Sequence, residues 1–140
     1  MKAVFLDYKS LDQNDLDFSQ LEAAFDEFQM YPTSQEHEVL DRIQDVDVVI
    51  SNKIMMNASI IKQCPKLKLI LISATGTNNI DLVQAKAQGI VVCNCQAYGT
   101  SAVAQHTLSL MLALSTSLIQ YDQAVKQGEW QKAKQFCLLN

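Results

Sequence analysis

The sequence predicts a doubly wound α/β domain on a five-stranded parallel sheet, and three features of the residues carry that prediction. Five short apolar runs alternate with stretches whose apolar residues recur at helical spacing. The runs are almost continuously apolar, as expected of strands buried on both faces. No internal repeat or low-complexity linker interrupts the alternation.

Taken in order, Ala3–Leu6 reads as the first buried strand. Polar starters around Asp17 and Ser19 then open a helix carrying Leu21, Ala24, Phe25 and Phe28 at helical spacing. Phe28–Tyr31 reads as the second strand, stopped by Pro32. Thr33-Ser-Gln-Glu36 fits a capping box for a helix carrying Val39, Leu40 and Ile43. Val46–Ile50 is the third strand, and Asn57 caps a short helix with Ile60 and Ile61 that ends before Pro65. Leu67–Ile72 is the fourth strand and the most apolar. Asp81–Gln88 forms a helix closed by Gly89, a residue suited to the left-handed position beyond a helix end. Ile90–Cys93 is the fifth strand. The expected strand order is 2-1-3-4-5, the flavodoxin-like arrangement, with ligands at the carboxyl ends of the strands.

Beyond the fifth strand, Ser101–Ile119 reads as one helix apolar nearly all round, followed by a second helix over Tyr121–Gln127. One sheet face cannot bury such a helix, so it calls for a partner surface, either a missing domain or another copy of the chain. The expected organisation is a domain over residues 1–100 and crossover or dimerisation helices over 101–140, with a homodimer formed through Ser101–Gln127.

The bulk numbers exclude several functions. A net charge of −4 with scattered lysines gives no electrostatic footprint for nucleic acid. No apolar run is long enough to span a membrane, and Met1–Asp7 is too short and too charged for a secretory leader, so a cytoplasmic location is expected. The cysteines Cys64, Cys93, Cys95 and Cys137 lack the paired spacing of a zinc site; free thiols are expected and no metal.

The residues richest in chemistry are Ser73-Ala-Thr-Gly-Thr-Asn-Asn-Ile-Asp81, at the end of the fourth strand. Small residues let a backbone approach a ligand closely, and N–H donors to a carboxylate make strong charge-assisted bonds. The plainer reading of this loop is a strand-to-helix turn with Asn79 as cap. Lys53, at the end of the third strand, offers a cation to the same edge, or is an ordinary surface lysine. His106, on the apolar helix, reads as a satisfied buried histidine rather than a catalytic one.

Leu67-Lys-Leu-Ile-Leu-Ile72, the Ala-Thr-Gly-Thr-Asn-Asn-Ile-Asp loop, Gly89-Ile-Val-Val92 and Val103-Ala-Gln-His-Thr-Leu-Ser-Leu-Met-Leu-Ala-Leu114 resemble the N-terminal part of NAD-dependent D-2-hydroxyacid dehydrogenases. With Asn52-Lys53 and Val-Ala-Gln-His106, the sequence is most similar to the glycerate dehydrogenase (hydroxypyruvate reductase) branch. The resemblance implies that the backbone amides of Ala74, Thr75 and Gly76 hold the carboxylate of a small 2-hydroxy or 2-keto acid. It also implies that Tyr98, Gly99 and Thr100 enter the crossover near the nicotinamide end of a cofactor, Thr100 being the candidate contact.

Hydride transfer to a 2-keto acid needs a bound nicotinamide, a cation to polarise the carbonyl and an acid to protonate the alkoxide. In the family these come from a glycine-rich turn, an arginine and a histidine paired with a glutamate, all C-terminal to this region. The four glycines here form no Gly-x-Gly-x-x-Gly, and the single arginine, Arg42, lies in an early helix. The expectation is therefore a substrate-binding domain from a truncated, proteolysed or excised dehydrogenase. It would have no catalytic residue of its own, would not bind NAD(H) or NADP(H) tightly and would be inactive alone. The alternatives are a non-enzymatic flavodoxin-like module that pairs with full-length subunits and a receiver-like phosphoacceptor domain. Ser51-Asn52 stands where the receiver's aspartate would be, which argues against the latter.

Overall fold

The computed structural model describes residues 1–135. The first compact unit, Met1–Gln96, holds five strands: β1 (Lys2–Phe5), β2 (Glu27–Met30), β3 (Val48–Ser51), β4 (Leu69–Ile72) and β5 (Val91–Asn94). All pair in parallel, in the order β2-β1-β3-β4-β5. The predicted sheet and its order are therefore found. The register places Phe5 beside Met30 and Ile50, Ile50 beside Leu71, and Leu71 beside Cys93.

β1 and β3 are buried on both faces, as their unbroken apolar runs predict, while the edge strands β2 and β5 are half-buried on one face only. On one face Val4, Leu6, Val49, Ile70 and Ile72 pack with Val39 and Ile43 of α2 (Glu36–Ile43), Ile60 and Ile61 of α3 (Ala58–Lys62) and Ala85 of α4 (Leu82–Ala87). On the other, Ala3, Phe5, Val48 and Ile50 meet Tyr8, Phe18, Phe25, Phe28 and Leu21 of the short α1 (Ser19–Glu22). Each such aliphatic side chain, fully buried, contributes about 1.5–3 kcal/mol relative to its exposed state.

Local chemistry sets the helix ends. Asn57 Oδ1 accepts from the amides of Ser59 and Ile60 at 3.0 and 3.1 Å, capping α3 as predicted. Asp81 caps α4 through Gln84 N–H at 2.8 Å. Gly89, with φ +73°, ends α4 in the left-handed region.

Three expectations are corrected. The capping box of α2 lies two residues later than Thr33-Ser-Gln-Glu36: the Glu38 carboxylate accepts from the Gln35 amide at 2.7 Å. Next to Thr33 the buried Ser34 hydroxyl donates to the Leu6 carbonyl at 2.6 Å, which holds this stretch on the sheet, and the helix begins only at Glu36. The helix expected to reach Phe28 ends after Glu22; Phe25 and Phe28 instead stack at 5.6 Å below β1 and β2, Phe28 from within β2.

The third correction lies in the second compact unit, which begins at Ala97. The helix predicted over Ser101–Ile119 breaks into α5 (Thr100–Ser115) and α6 (Leu118–Lys126), bent by 59°. Ser115 and Thr116 both turn their hydroxyls back onto the Leu112 carbonyl, at 3.1 and 2.7 Å, and Ser117 takes φ +51°. Such side-chain bonds compete with helix continuation. Within this unit Ala124 is buried and Tyr121 meets Trp130 edge-on at 6.2 Å. No residue of α5 is buried, so His106 is exposed, not the buried histidine expected. Among the described residues no single helix is long and apolar enough to cross a membrane.

Candidate functional site

The parallel sheet delivers the carboxyl ends of β1, β3, β4 and β5 to one edge of the first unit. Lys53 arrives after β3, and Ala74, Thr75 and Gly76 arrive after β4. All four residues assigned to substrate thus lie in loops at this edge, after the neighbouring strands β3 and β4. Thr100 belongs to the second unit, where it opens α5.

The loop after β4 is fixed through its carbonyls. Cys95 N–H donates to the Ala74 carbonyl at 3.0 Å, Asn94 Nδ2 to the Thr75 carbonyl at 2.6 Å, and Ile80 N–H to the Thr77 carbonyl at 3.0 Å. Ser73 N–H donates to the Ser51 carbonyl at 3.0 Å, which ends the β3–β4 ladder. The amides of Ala74, Thr75 and Gly76 have no hydrogen-bond partner among the described residues. Three successive unpartnered donors on a loop held by its oxygens are available to an anion. At Gly76 the requirement is space: a Cβ would stand 3.0 Å from Asn78 Oδ1. Beside the loop, the Ser73 hydroxyl is buried and unpartnered among the described residues.

The turn carrying Lys53 is held from both sides. Asp7, 3% exposed at the end of β1, accepts the Asn52 amide on Oδ1 at 2.9 Å and the Lys53 amide on Oδ2 at 2.8 Å. Ser51 Oγ accepts the Ile54 amide at 3.1 Å. Opposite, buried Asn79 donates from Nδ2 to the Ile54 carbonyl at 3.1 Å and, more weakly, to the Asn52 carbonyl at 3.4 Å. Asn79 is therefore a clamp between the two loops rather than a helix cap; the cap is Asp81. Lys53 itself is exposed and makes no ion pair among the described residues. It separates two surface cavities of about 290 and 260 Å³. The first is bordered by Asp7, Ser10 and Thr33, the second by Ser34, Glu36 and Asn57.

Sequence reasoning had no positioning role for Asp7 or Asn79. The available signal was an acid closing an apolar strand and an asparagine next to the helix-capping Asp81. Arg42 is occupied elsewhere: it pairs with Glu38 at 2.8 Å, donates to the Thr33 carbonyl at 2.9 Å and lies 3.9 Å from the Tyr31 ring centre.

The arrangement does not fit a dinucleotide. A pyrophosphate needs a glycine-rich turn entering a helix N-terminus. The strand-to-helix turns here hold one glycine at most, Gly76 after β4 or Gly99 after β5, and β1 leads through Asp7 into a 3-10 turn, Tyr8–Ser10. Nor do three or more His, Cys, Asp or Glu side chains converge among the described residues. Cys64 is buried, with Sγ 3.3 Å from the Ile60 carbonyl; Cys93 and Cys95 are exposed free thiols, and Cys137 lies outside the described residues.

Residues 4–134 match the family model of the D-isomer specific 2-hydroxyacid dehydrogenase catalytic domain. The chain is 40% identical over 136 residues to a glycerate dehydrogenase of Methylorubrum extorquens, covering 97% of this chain and 42% of that protein. It is 35% identical to a hydroxypyruvate reductase of Blautia hydrogenotrophica, covering 98% of this chain and 43% of the relative. Among solved structures, a D-lactate dehydrogenase from Aquifex aeolicus complexed with NAD and lactic acid superposes with a TM-score of 0.71 at 26% identity, over 90% of this chain and 37% of that one. A 2-hydroxyacid dehydrogenase from Ketogulonicigenium vulgare shares the fold with a TM-score of 0.76 at 23% identity, over 99% and 42% of the two chains. The chain thus spans about two fifths of the length of the curated relatives it matches over nearly its whole extent.

Proposed function

The chain belongs to the D-isomer specific 2-hydroxyacid dehydrogenase family, and on that premise we propose that it supplies the substrate-binding half of an active site of the glycerate dehydrogenase and hydroxypyruvate reductase type. The amides of Ala74, Thr75 and Gly76 hold the carboxylate of a small 2-hydroxy or 2-keto acid, and Lys53 faces the same molecule from the end of β3. The observation that carries this reading is the set of three successive unpartnered amides on a loop whose carbonyls are tied down. Such donors need little reorganisation when the anion arrives, and charge-assisted bonds to it are about twice as strong as neutral ones.

The same residues supply no hydride carrier, so this chain binds substrate and does not reduce it. In dehydrogenases of this family NAD(H) or NADP(H) carries the hydride, and Thr100 is the contact this chain would lend to it. Titrating the ¹⁵N-labelled chain with hydroxypyruvate tests the reading. Saturable shifts centred on the Thr75 and Gly76 amides, with NADH oxidation at background, are expected; shifts that avoid the loop would overturn it.

We propose further that Ser101–Gln127 pairs two copies of the chain. What supports this is α5, which carries Val103, Leu108, Met111, Leu112 and Leu114 at 60% exposure or more. An apolar surface of that kind marks an association site. Light scattering at micromolar concentration is expected to give twice the monomer mass, and a compact monomer would remove the pairing claim.

A further inference from the structure

We propose that Asp7 is a positioning residue for the substrate-facing cation: its buried carboxylate, by binding the amides of both Asn52 and Lys53, fixes the point from which Lys53 presents its ammonium group. The inference rests on the assignment of Lys53 to substrate made above.

The geometry points to this because Asp7 uses both oxygens, one for each amide, at 2.9 and 2.8 Å. A carboxylate almost sealed from solvent is costly unless its lone pairs are met, and two amide donors on adjacent residues meet them. Those donors are the backbone of Lys53 and its neighbour, so Asp7 restrains the main chain from which the lysine side chain departs. Spent on backbone, the carboxylate is not free to neutralise the lysine, whose ammonium has no ion-pair partner among the described residues. A second constraint comes from the far side, where Asn79 holds the carbonyls of Ile54 and Asn52. The Asn52 side chain also reaches Ser10 Oγ at 3.0 Å, tying the turn to the segment after Asp7. A lysine on an otherwise mobile stem thus departs from a backbone over-determined by three elements, and a structural carboxylate becomes a determinant of substrate affinity.

A double-mutant cycle on the chain, read by hydroxypyruvate binding in ¹⁵N spectra, tests this. Lys53→Met is expected to weaken binding about tenfold, the scale of a lost charge-assisted bond. Asp7→Asn keeps the side-chain shape but presents an NH₂ to one of the two amides, and is expected to weaken binding to a similar extent. In the Lys53→Met background it is expected to cost nothing more, since Asp7 acts through Lys53. Asp47→Asn, which removes the ion pair with Lys68 at the opposite end of β3, serves as the destabilised control and is expected to leave affinity unchanged. If Lys53→Met weakens binding but Asp7→Asn does not, or the two add, the positioning role is overturned while the substrate assignment stands. If Lys53→Met leaves affinity unchanged, the assignment of Lys53 fails first and the role of Asp7 falls with it. Where Asp7→Asn unfolds the chain, Asp7→Glu replaces it; its longer side chain keeps both oxygens, displaces the turn, and is expected to show the same coupling.

Discussion

Asn79 ties the loop after β4 to the loop after β3: its Nδ2 donates to the Ile54 carbonyl at 3.1 Å, and its own carbonyl accepts the Met56 amide at 2.8 Å. Met56 and Ile80 extend this into an isolated parallel bridge, and Asp81 N–H returns to the Met56 carbonyl at 3.0 Å. The two loops that carry the candidate substrate groups are therefore one hydrogen-bonded unit, and their spacing is set by buried backbone.

Asn79→Ala is expected to lower stability by about 1 kcal/mol, because it leaves the half-buried Ile54 and Asn52 carbonyls without their donor. Asn79→Asp is expected to cost more, since a carboxylate would face the same two carbonyls. Urea denaturation checks both. If Asn79 were only a helix cap, Asn79→Asp would be tolerated, as aspartate caps as well as asparagine.

The central strand runs were legible in the residues because burial leaves no polar interruption, as in Val48–Ile50, all buried, and Leu69–Ile72, buried or half-buried. Helix bounds were less so. Leu21, Ala24, Phe25 and Phe28 keep helical spacing, yet the last two are placed by stacking on each other below the sheet, and a spacing rule cannot separate those causes. The lysine and the small-residue loop stood out as residue types. Their positioning did not, because Asp7 meets Asn52 and Lys53 across 45 and 46 residues of chain. The free amides of Ala74 to Gly76 likewise depend on Asn94 and Cys95 taking up the carbonyls, a pairing fixed only when β5 docks on β4.

Acid is expected to loosen the amino-terminal edge of the sheet. The Lys68 ammonium at 2.6 Å, followed by the Lys2 amide at 2.9 Å, holds the Asp47 carboxyl below its ordinary value of 3.8. A depressed folded-state value stabilises above pH 3.8 and is lost as pH falls through that lower value. Wild type should therefore exceed Asp47→Asn in stability at neutral pH, with the gap closing in acid. Added salt should shrink the gap, since Lys68 is exposed. Thermal melts across pH at two ionic strengths measure it, and a gap that never closes as pH falls below 3.8 would contradict the pairing.

The thiols are expected to divide by burial. Cys64, fully buried under α3, is pushed up to about 11 from an ordinary value of 9.0 by loss of solvent, so it stays protonated and unreactive near neutrality. Cys93 and Cys95 are exposed and should be alkylated by iodoacetamide in the native chain, with Cys64 modified only in denaturant. Peptide mass mapping reads the difference. The linkage has the opposite sign to that of Asp47: stability from Cys64 is complete below pH 9.0 and declines as pH rises towards 11. The stability advantage of wild type over Cys64→Ala should narrow over that alkaline range.

Gly76 separates the demands of the site from those of the fold. Its φ is not in the left-handed region, so an added methyl meets no backbone strain. The methyl would meet only the end of the Asn78 side chain, at 3.0 Å, which can rotate away. Gly76→Ala is therefore expected to fold normally, with stability unchanged or raised by up to about 1 kcal/mol through the stiffer unfolded chain. The same methyl stands beside the three free amides, where an approaching carboxylate needs the space, so hydroxypyruvate binding should fall by about tenfold or more. Denaturation and titration of the one variant should then move in opposite directions. If binding survives Gly76→Ala intact, the anion does not sit on this loop.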